Sequence, residues 1–379
     1  MKNTFGTAVS LTIFGESHGP AIGAVLDGIA AGVPVDEGFI QAQMEKRRAR
    51  GDGLSTSRVE ADQVEFLSGV WQGRTTGTPI TLLIRNNNTR SQDYGAQQGR
   101  CRPGHADYTA HVKYQGFEDY RGGGHFSGRI TAAVCAAGAL CQSILEQKGI
   151  RLATHAAQLA GVPDEAFAQQ PDQLADQLER LSRCQGLPVL NPQAAPLMET
   201  AIRQAAQEGD SVGGILETAV LGMPAGVGEP FFDSVESQLA HLLFSIPGIK
   251  GVEFGAGFAM AQMRGSQAND PFAADQGQVY TTSNNNGGIN GGITNGMPLV
   301  LRTAIKPTPS IYKPQQTIQL GTLEPATLAI QGRHDPCIAH RAAVVQTAVT
   351  AFGLLDLLTQ RYGTLWHCAK EKEQPWNTD

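Results

Sequence analysis

Two short segments of this chain recur, in the same order, in its two halves. GIAAGV at 28–33 resembles GMPAGV at 222–227, and TTGTPITL at 75–82 resembles TNGMPLVL at 294–301. One such match is easily a coincidence between turn sequences, but an ordered pair indicates a duplicated strand–helix–strand unit. The pattern therefore predicts one pseudo-symmetric α+β domain over residues 1–379, rather than separate domains.

The duplicated halves are expected at about 5–150 and 210–360, with a peripheral helical segment at about 156–207. Alternating apolar residues predict strands, and wider apolar spacing predicts helices, the first of them capped by Asp36. Residues 266–276 have the composition of a loop. Short hairpins separated by single helices favour antiparallel sheets over a doubly wound parallel sheet. The predicted strands are 8–14, 21–26, 64–66, 79–84, 213–221, 252–258 and 298–305, and the predicted helices are 36–50, 130–148, 233–244 and 339–361.

Composition narrows the class of protein. The chain of 379 residues has 29 basic and 35 acidic side chains, so no overall positive field predicts nucleic-acid binding. The 45 glycines show no three-residue period, which is typical of a compact enzyme with glycine-lined sites and not of collagen. The six cysteines include no CxxC pair, so no zinc ribbon or disulfide framework is expected. No apolar run of membrane-spanning length and no signal peptide is apparent, which predicts a cytoplasmic protein without a membrane partner.

The stretch from Arg102 to Arg129 concentrates groups that bind anions. It holds three histidines, four arginine or lysine side chains and the run Gly122-Gly123-Gly124. Consecutive glycines let backbone N–H groups approach a ligand closely, and arginines offer planar forks that suit phosphate or carboxylate. The segment after Arg129 is helix-like, so the run is expected beside a helix N-terminus. A solvated glycine-rich surface turn is the alternative.

Two further groups of cations, at 46–50 and 333–341, lie far from this stretch in sequence. The dipole of a helix C-terminus alone favours cations at 46–50, but four in five residues exceed that need. Converging arginines indicate a polyanionic ligand. His18, His105 and Asp335 are the candidate proton-transfer groups, because each lies in a turn bounded by glycine or proline. No Walker A or strand-linked GxGxxG pattern occurs, so nucleotide-triphosphate or Rossmann-type binding is not predicted.

Several ordered motifs resemble the chorismate synthase family over nearly the whole chain. They are GESHG at 15–19, RPGHADYT at 102–109, DYRGGG with SGR at 119–129, KGVEFG at 250–255, GGINGGITNG at 287–296 and GRHDPC at 332–337. The resemblance implies a lyase that converts 5-enolpyruvylshikimate 3-phosphate to chorismate and phosphate by anti-1,4-elimination with reduced FMN. It also implies the β-α-β sandwich fold of that family, with antiparallel sheets around central helices.

The resemblance also implies roles for single residues. The arginines that would hold the substrate's anionic groups are Arg47, Arg48, Arg129 and Arg341. The residues that would cradle the flavin are His125, Phe126, Ser127, Pro247, Gly248, Gly291, Lys306, Pro307, Thr308, Pro309, Ser310 and Arg333. The catalytic groups would be His18, which protonates the departing phosphate; His105, beside the reduced flavin; and Asp335 with Ser17 and Ser127, which relay the C6 proton.

The chain departs from the family pattern at a few positions. His125 stands where the family often has arginine, Phe126 replaces a small residue, and Gly53 stands where some relatives carry another basic residue. The resemblance further implies a homotetramer. NADPH would serve as an indirect reductant, or an external flavin reductase as the source of electrons, since no additional reductase domain is visible.

Two other functions fit parts of the same pattern. His105, Asp107 and His111, with His18 or Asp335, have the residue types of a metal-dependent phosphohydrolase. A flavin- or phosphate-binding module without catalysis is the non-enzymatic alternative. Neither explains why two separated histidine turns should occur together with the matched motifs.

Overall fold

The computed structural model describes residues 2–49, 51–56, 61–87, 99–330 and 334–368. In chain order, the strands are β1 (Thr4–Phe5), β2 (Ser10–Gly15), β3 (Ala21–Asp27), β4 (Glu65–Ser68), β5 (Val70–Trp71), β6 (Arg74–Thr75), β7 (Ile80–Arg85), β8 (Arg151–Leu159), β9 (Val162–Pro163), β10 (Gly214–Leu221), β11 (Ile249–Phe254), β12 (Phe272–Asp275), β13 (Gln278–Thr281), β14 (Ile289–Asn290), β15 (Ile293–Thr294), β16 (Leu299–Ile305), β17 (Gln315–Ile318) and β18 (Pro325–Leu328). The helices are α1 (Glu37–Arg47), α2 (Asp107–Tyr114), α3 (Thr131–Glu146), α4 (Pro171–Arg183), α5 (Ala194–Gln207), α6 (Val235–Phe244), α7 (Gly265–Ala268) and α8 (Ala339–Tyr362).

Two five-stranded sheets enclose the core. The first has the strand order β1-β2-β3-β7-β4 and the second has the order β11-β16-β10-β8-β9, and the strand pairs in both are antiparallel. Strand β7 shows why each sheet has one buried face, because Ile80, Leu82 and Ile84 alternate with more exposed residues. The prediction of antiparallel sheets in an α+β fold is confirmed.

Helices α3 and α8 fill the space between the sheets. Helix α3 contacts β3 and β7 of the first sheet and β8 of the second, and α8 contacts β8 and β10. Helix α8 and the 19-residue segment Gly128–Glu146, which is α3 with the short turn before it, are long and apolar enough to cross a membrane, so the expectation that no segment has that length is wrong. Their most apolar windows are 83% and 100% buried inside the protein, as in the core helices of other globular proteins.

The two helices pack closely because Gly138 of α3 faces Ala348 of α8. A Cβ added at Gly138 would lie 2.5 Å from the Ala348 Cβ. Small residues at a crossing let two helix backbones approach more closely than large side chains allow. The β-α-β layering that the sequence predicts is therefore confirmed, with this crossing at its centre.

The recurring sequence segments occupy equivalent positions in the two sheets. The turn at 28–33 follows β3, and the turn at 222–227 follows β10, each an inner strand. The Thr75 hydroxyl accepts a hydrogen bond from the Val33 N–H and donates one to the Ala30 carbonyl, and Thr294 does the same in the other half. A duplication predicts this correspondence, and the duplication itself stays a prediction.

Four details differ from the sequence-based expectation. The strand predicted at 252–258 is β11, which begins at Ile249 and ends at Phe254. Residues 156–159 belong to β8 and pair with β10, and the helices of that region are α4 and α5, because buried Ala156 and Leu159 make this polar-looking segment a core strand. Residues 272–275 form the hairpin strand β12 instead of a loop. Helix α1 begins after its Asp36 cap, as predicted, but ends at Arg47, where the Arg48 backbone becomes extended.

Candidate active site

The glycine run at 122–124 forms a left-handed turn that lies against the turn after β2. Its three residues have φ angles of +59°, +84° and +52°, a region that glycine adopts without a steric penalty. The Gly124 carbonyl accepts a hydrogen bond from the Ser17 N–H at 3.0 Å, and His125 Nδ1 lies 2.8 Å from the Gly15 carbonyl oxygen. The fold thus joins two motifs that are far apart in sequence.

Two of the predicted proton-transfer groups lie against consecutive glycines of this run. A Cβ at Gly122 would collide with the His18 ring, and a Cβ at Gly123 would lie 3.1 Å from His105 Cε1. His18 is buried, with 8% of its surface exposed. The absence of side chains at 122 and 123 therefore allows both imidazoles to approach one short piece of backbone.

His105 is held by a carboxylate and a guanidinium from its own loop. His105 Nδ1 lies 2.7 Å from Asp107 Oδ1 and 3.0 Å from Arg102 Nη2, and Arg102 also forms a two-point ion pair with Asp107. Burial alone would raise the pKa of Asp107. The hydrogen bonds from Arg102 and His105 outweigh burial and hold that pKa well below its ordinary value.

Arg47 and Arg129 converge on one buried carboxylate, Asp62. Arg47 Nη1 lies 2.9 Å from Asp62 Oδ2, and Arg129 Nη1 pairs with Asp62 Oδ1. The side chains of the three residues are only 5%, 7% and 2% exposed, respectively. Burial lowers the pKa of Arg47 to about 10, with Asp62 acting in the opposite direction, so Arg47 remains charged at neutral pH.

Asn86 links this arginine pair to the histidine turn. Its Oδ1 accepts a hydrogen bond from Arg129 Nε at 3.0 Å, and its Nδ2 donates to the carbonyls of Glu16 and Gly19. His18 lies between those two carbonyls in sequence. A single amide side chain therefore connects Arg129 to the backbone of the turn that carries His18.

Asp335 joins the arginine pair through Arg341. Its Oδ1 accepts hydrogen bonds from Arg341 Nη1 at 2.8 Å and from the Thr56 N–H at 3.0 Å, while Arg341 Nε donates to the Arg47 carbonyl. The predicted substrate arginines 47, 129 and 341 are thus brought together. Arg333 lies outside the described residues.

The two central helices both begin at this cluster. Thr131, the first residue of α3, accepts a hydrogen bond from Arg47 Nε, and Arg341 lies in the first turn of α8. Helix N-termini carry partial positive charge and attract anions. The helix dipoles therefore add to the field of the arginines.

Arg48 is not part of this cluster. It lines a separate cavity of about 300 Å³ with Lys46, Arg203 and His340, on the side of α8 where Arg341 also contributes to the wall. Its Nε is buried and has no hydrogen-bond partner among the described residues.

Most of the predicted flavin residues form two groups on either side of Gly104. His125 and Phe126 line a cleft of about 1090 Å³ together with His105, and the Phe126 ring packs edge-on against Tyr114. Lys306 donates to the Gly104 carbonyl, and its own N–H donates to the Gly248 carbonyl beside Pro247.

The rest of segment 306–310 continues this second group. Ser310 is buried, Pro309 lies beside Gly104, and the buried Thr308 hydroxyl has no hydrogen-bond partner within the described chain. Pro307 is exposed. Gly291 is not brought to this place, because it lies in the hairpin β14–β15, next to the contact of Gly292 with Ser234. Ser127 precedes the short turn that leads into α3, and its hydroxyl accepts a hydrogen bond from the Arg129 N–H at 3.3 Å.

The family model for chorismate synthase matches residues 9–359. The chain belongs to the chorismate synthase family. It is 44% identical to a chorismate synthase of Korarchaeum cryptofilum over 93% of this chain and 96% of that protein. It is 46% identical to one of Methanosarcina mazei over 93% of this chain and 95% of that protein.

A solved structure gives the same result for the fold. A crystal structure of chorismate synthase, 30% identical, superposes with a TM-score of 0.75 and covers 95% of this chain and 94% of that chain. The resemblance inferred from the motifs is confirmed, as is the fold of the chorismate synthase family.

Membership in the chorismate synthase family makes this protein an enzyme, a lyase with a small-molecule substrate, and brings the family's general requirement for a flavin. The phosphohydrolase and binding-module alternatives have no support from these relatives. Within the described ranges, no three His, Cys, Asp or Glu side chains are grouped as metal ligands.

Three residues of the site were not identified from the sequence. Asp62 and Asn86 lie in loops next to β4 and β7 without a motif around them, and only the fold shows that they connect the arginines. Asp107 follows His105 with one residue between them, and the sequence suggested a metal ligand instead of a partner for the histidine. The spacing His-x-Asp at the start of a helix was the available signal.

Proposed function

We propose that this protein converts 5-enolpyruvylshikimate 3-phosphate to chorismate and phosphate by anti-1,4-elimination, with reduced FMN as the required cofactor. The observation that supports this most directly is the placement of His18 and His105 against adjacent glycines, next to a buried group of arginines. An elimination that expels phosphate needs an acid at the leaving group and cations around it. His18 is proposed to supply the acid, and the neighbouring arginines supply the cations.

Arg47, Arg129 and Arg341 are proposed to hold the phosphate and carboxylates of the substrate. The three guanidiniums share the carboxylates of Asp62 and Asp335, which leaves one positive charge in excess before the helix dipoles are added. Because these groups are largely buried, their attraction for an anion is screened less than at the surface. Arg48 remains a candidate for the same role from its neighbouring cavity.

The cleft beside His105 fits a flavin. Its volume suits a three-ring ligand, and Phe126 and Tyr114 give it an aromatic wall. Outside the cleft lining, Lys306 contacts the Gly104 carbonyl next to His105 and is proposed to reach the phosphate of the flavin. We place His125, Phe126 and Ser127 on one side of the flavin and Pro247, Gly248 and residues 306–310 on the other. Gly291 and Arg333 remain predicted contacts. Reduced FMN, when bound, supplies electron density that assists cleavage of the C–O bond.

The protein's own groups then have distinct roles. His18, buried and fixed by Gly122, donates a proton to the leaving phosphate. His105 sets the protonation of the group beside it through Nε2, which faces Gly123. Asp335, with Ser17 and Ser127, is proposed to accept and pass on the C6 proton, since its carboxylate is held as an acceptor by Arg341 and the Thr56 N–H.

An anaerobic assay with 5-enolpyruvylshikimate 3-phosphate and photoreduced FMN tests this proposal by the appearance of chorismate absorbance. Product that forms only with reduced flavin is the expected result. Folded protein that binds FMN yet forms no chorismate would contradict the proposal. Adding NADPH with oxidised FMN, in place of photoreduction, tests whether the protein reduces its own flavin or depends on an external reductase.

Two further properties are proposed on the same basis. We expect a homotetramer, and we expect the protein in the cytoplasm, where its substrate pathway would operate. Sedimentation velocity and fractionation of cells that express the full chain test these two expectations separately.

A further inference from the structure

Asp107 is fixed more firmly than a surface carboxylate. Its Oδ2 accepts hydrogen bonds from the Arg102 N–H at 2.9 Å and from Arg102 Nε at 2.8 Å, and its Oδ1 accepts from Arg102 Nη2 at 2.7 Å. It is the first residue of α2, where a negative charge is favoured. The carboxylate therefore has one orientation available, and the fourth contact, to His105 Nδ1 at 2.7 Å, is set by that orientation.

An ionised carboxylate only accepts hydrogen bonds. Arg102 Nη2 also lies 3.0 Å from His105 Nδ1, but it lies closer, at 2.7 Å, to Asp107 Oδ1, so its proton is directed to the carboxylate. The 2.7 Å contact of Asp107 with His105 then requires a proton on His105 Nδ1, and in the neutral ring Nε2 is left as the unprotonated nitrogen. Nε2 is the atom on the Gly123 side, since a Cβ at Gly123 would lie 3.3 Å from it. His105 and Asp107 both line the large cleft.

We infer that Asp107 is a positioning residue for His105: it selects the tautomer that presents a basic Nε2 to the cleft and holds the ring at that angle. The inference rests on the proposed function, because Nε2 is the His105 atom that would meet the ligand proposed to occupy the cleft. Arg102 fixes Asp107 through three hydrogen bonds.

The substitution Asp107→Asn should change which nitrogen of His105 carries the proton. Arg102 presents two donors, its backbone N–H and Nε, at the Oδ2 position, so the amide oxygen of an asparagine is drawn to that position. The amide NH₂ then faces His105 Nδ1 and donates to it. The variant should therefore have the opposite tautomer, with the proton on Nε2.

Asp119→Asn is a matched control. Asp119 forms the same clamp with Arg121, from Nε and Nη2 at 2.8 Å each, and accepts the Arg121 N–H at 3.1 Å, but it makes no hydrogen bond to an imidazole in the described chain. This substitution removes an equivalent carboxylate from the same cleft. It should leave the His105 tautomer as it is in the wild-type protein.

The test is ¹⁵N NMR of the full chain labelled at its nine histidines, recorded at a pH where the rings are neutral, without and with oxidised FMN. Loss of signals in His105→Gln assigns the His105 nitrogens. The expected result is a protonated Nδ1 in the wild-type protein and in Asp119→Asn, and a protonated Nε2 in Asp107→Asn. Turnover of Asp107→Asn should fall about 10- to 100-fold, the usual cost of losing an orienting partner, while KM changes little.

Three results would overturn the inference: a protonated Nε2 in the wild-type protein, an unchanged tautomer in Asp107→Asn, or an inverted tautomer with unchanged turnover. The wild-type spectrum alone shows which nitrogen of His105 is protonated, so the inference can still be refuted if a variant fails to fold. If the wild-type protein forms no chorismate, the proposed function fails while the tautomer result stands.

Discussion

The imidazole of His18 packs directly against Gly122, so closely that no side-chain carbon fits between them. The contact is made possible by the left-handed backbone at 122, with φ +59°. It places a buried, ionisable ring against the same turn that receives His105 one residue later. The absence of side chains at 122 and 123 thus sets how closely the two catalytic candidates approach the same turn.

Gly122→Ala should reduce turnover by about 100-fold or more, because the added methyl group displaces the His18 ring from its position. Gly73→Ala is the control: its φ is +71°, so its backbone strain is similar, but a Cβ there meets nothing within 4 Å. Both variants should lose about 1 kcal/mol of stability from the left-handed conformation. Equal turnover in the two variants would contradict the role of the Gly122–His18 contact.

Asp62→Asn should lower the free energy of unfolding by about 3 kcal/mol, because it leaves two buried guanidiniums without their common counter-charge. Glu65→Gln provides the comparison. It breaks the Arg85–Glu65 pair, whose side chains are 62% and 37% exposed, and such surface pairs contribute at most about 1 kcal/mol. Urea unfolding measures both. A loss in Asp62→Asn no larger than that in Glu65→Gln would show that the buried pairing is unimportant for stability.

His18→Ala and His105→Ala should each lower turnover by roughly two to four orders of magnitude, the usual range for a general acid or base. The assay is anaerobic, with reduced FMN and substrate in excess, so that a change in affinity does not imitate a change in the chemical step. Activity of the wild-type level in both variants would refute the assignment of these histidines.

Stability should fall in mild acid because of His367. Burial, assisted by nearby Lys148, lowers the pKa of His367 to about 4. Its Nδ1 accepts the Ala30 N–H, and its Nε2 lies 2.8 Å from the Thr359 hydroxyl. The folded state thus holds the neutral ring, whereas the unfolded chain takes up a proton near pH 6.5.

The stabilisation from His367 is therefore complete above the pKa of the unfolded chain and is lost as the pH falls towards the pKa of the folded state. Between pH 7 and pH 5 the loss is about 2 kcal/mol. Urea unfolding at both pH values should show a larger decrease for the wild-type protein than for His367→Gln, which does not titrate. The same decrease in both would contradict the assignment.

Gly138→Ala should destabilise the protein by about 1–3 kcal/mol although alanine is the better helix former, because the methyl group meets the Ala348 backbone and Cβ across the helix crossing. Gly353→Ala is the control within α8. There the added Cβ would lie 2.7 and 2.9 Å from the ends of Leu242 and Leu239, which can rotate away. Thermal unfolding should rank Gly138→Ala clearly below Gly353→Ala.

The sequence predicted the elements of the fold well where the pattern was strong and local. The alternation around β7 and β16, the Asp36 cap and the apolar segments of α3 and α8 were all sufficient to locate them. It failed at 156–159, where Gln158 and the polar residues that follow concealed a strand whose burial depends on β10. Sequence alone also could not show that an apolar helix as long as α8 lies in the core, because that depends on the sheets that pack around it.

The site was less accessible to sequence reasoning. Motifs identified His18, His105 and the arginines because several residue types occur together around them. They gave no indication that Arg47 and Arg129 share Asp62, since that contact joins three separate segments. Pairing partners are set by the fold, and a single aspartate in a loop carries no signal of its own.

The Gly138–Ala348 crossing connects the interior of the protein to the geometry of its ligands. Helices α3 and α8 both start among the arginines, Arg129 just before one and Arg341 within the other. A change of a few tenths of an ångström where the helices cross would alter the distance between these two cations without touching either. The spacing of two proposed substrate-binding cations therefore depends on core residues that contact neither of them.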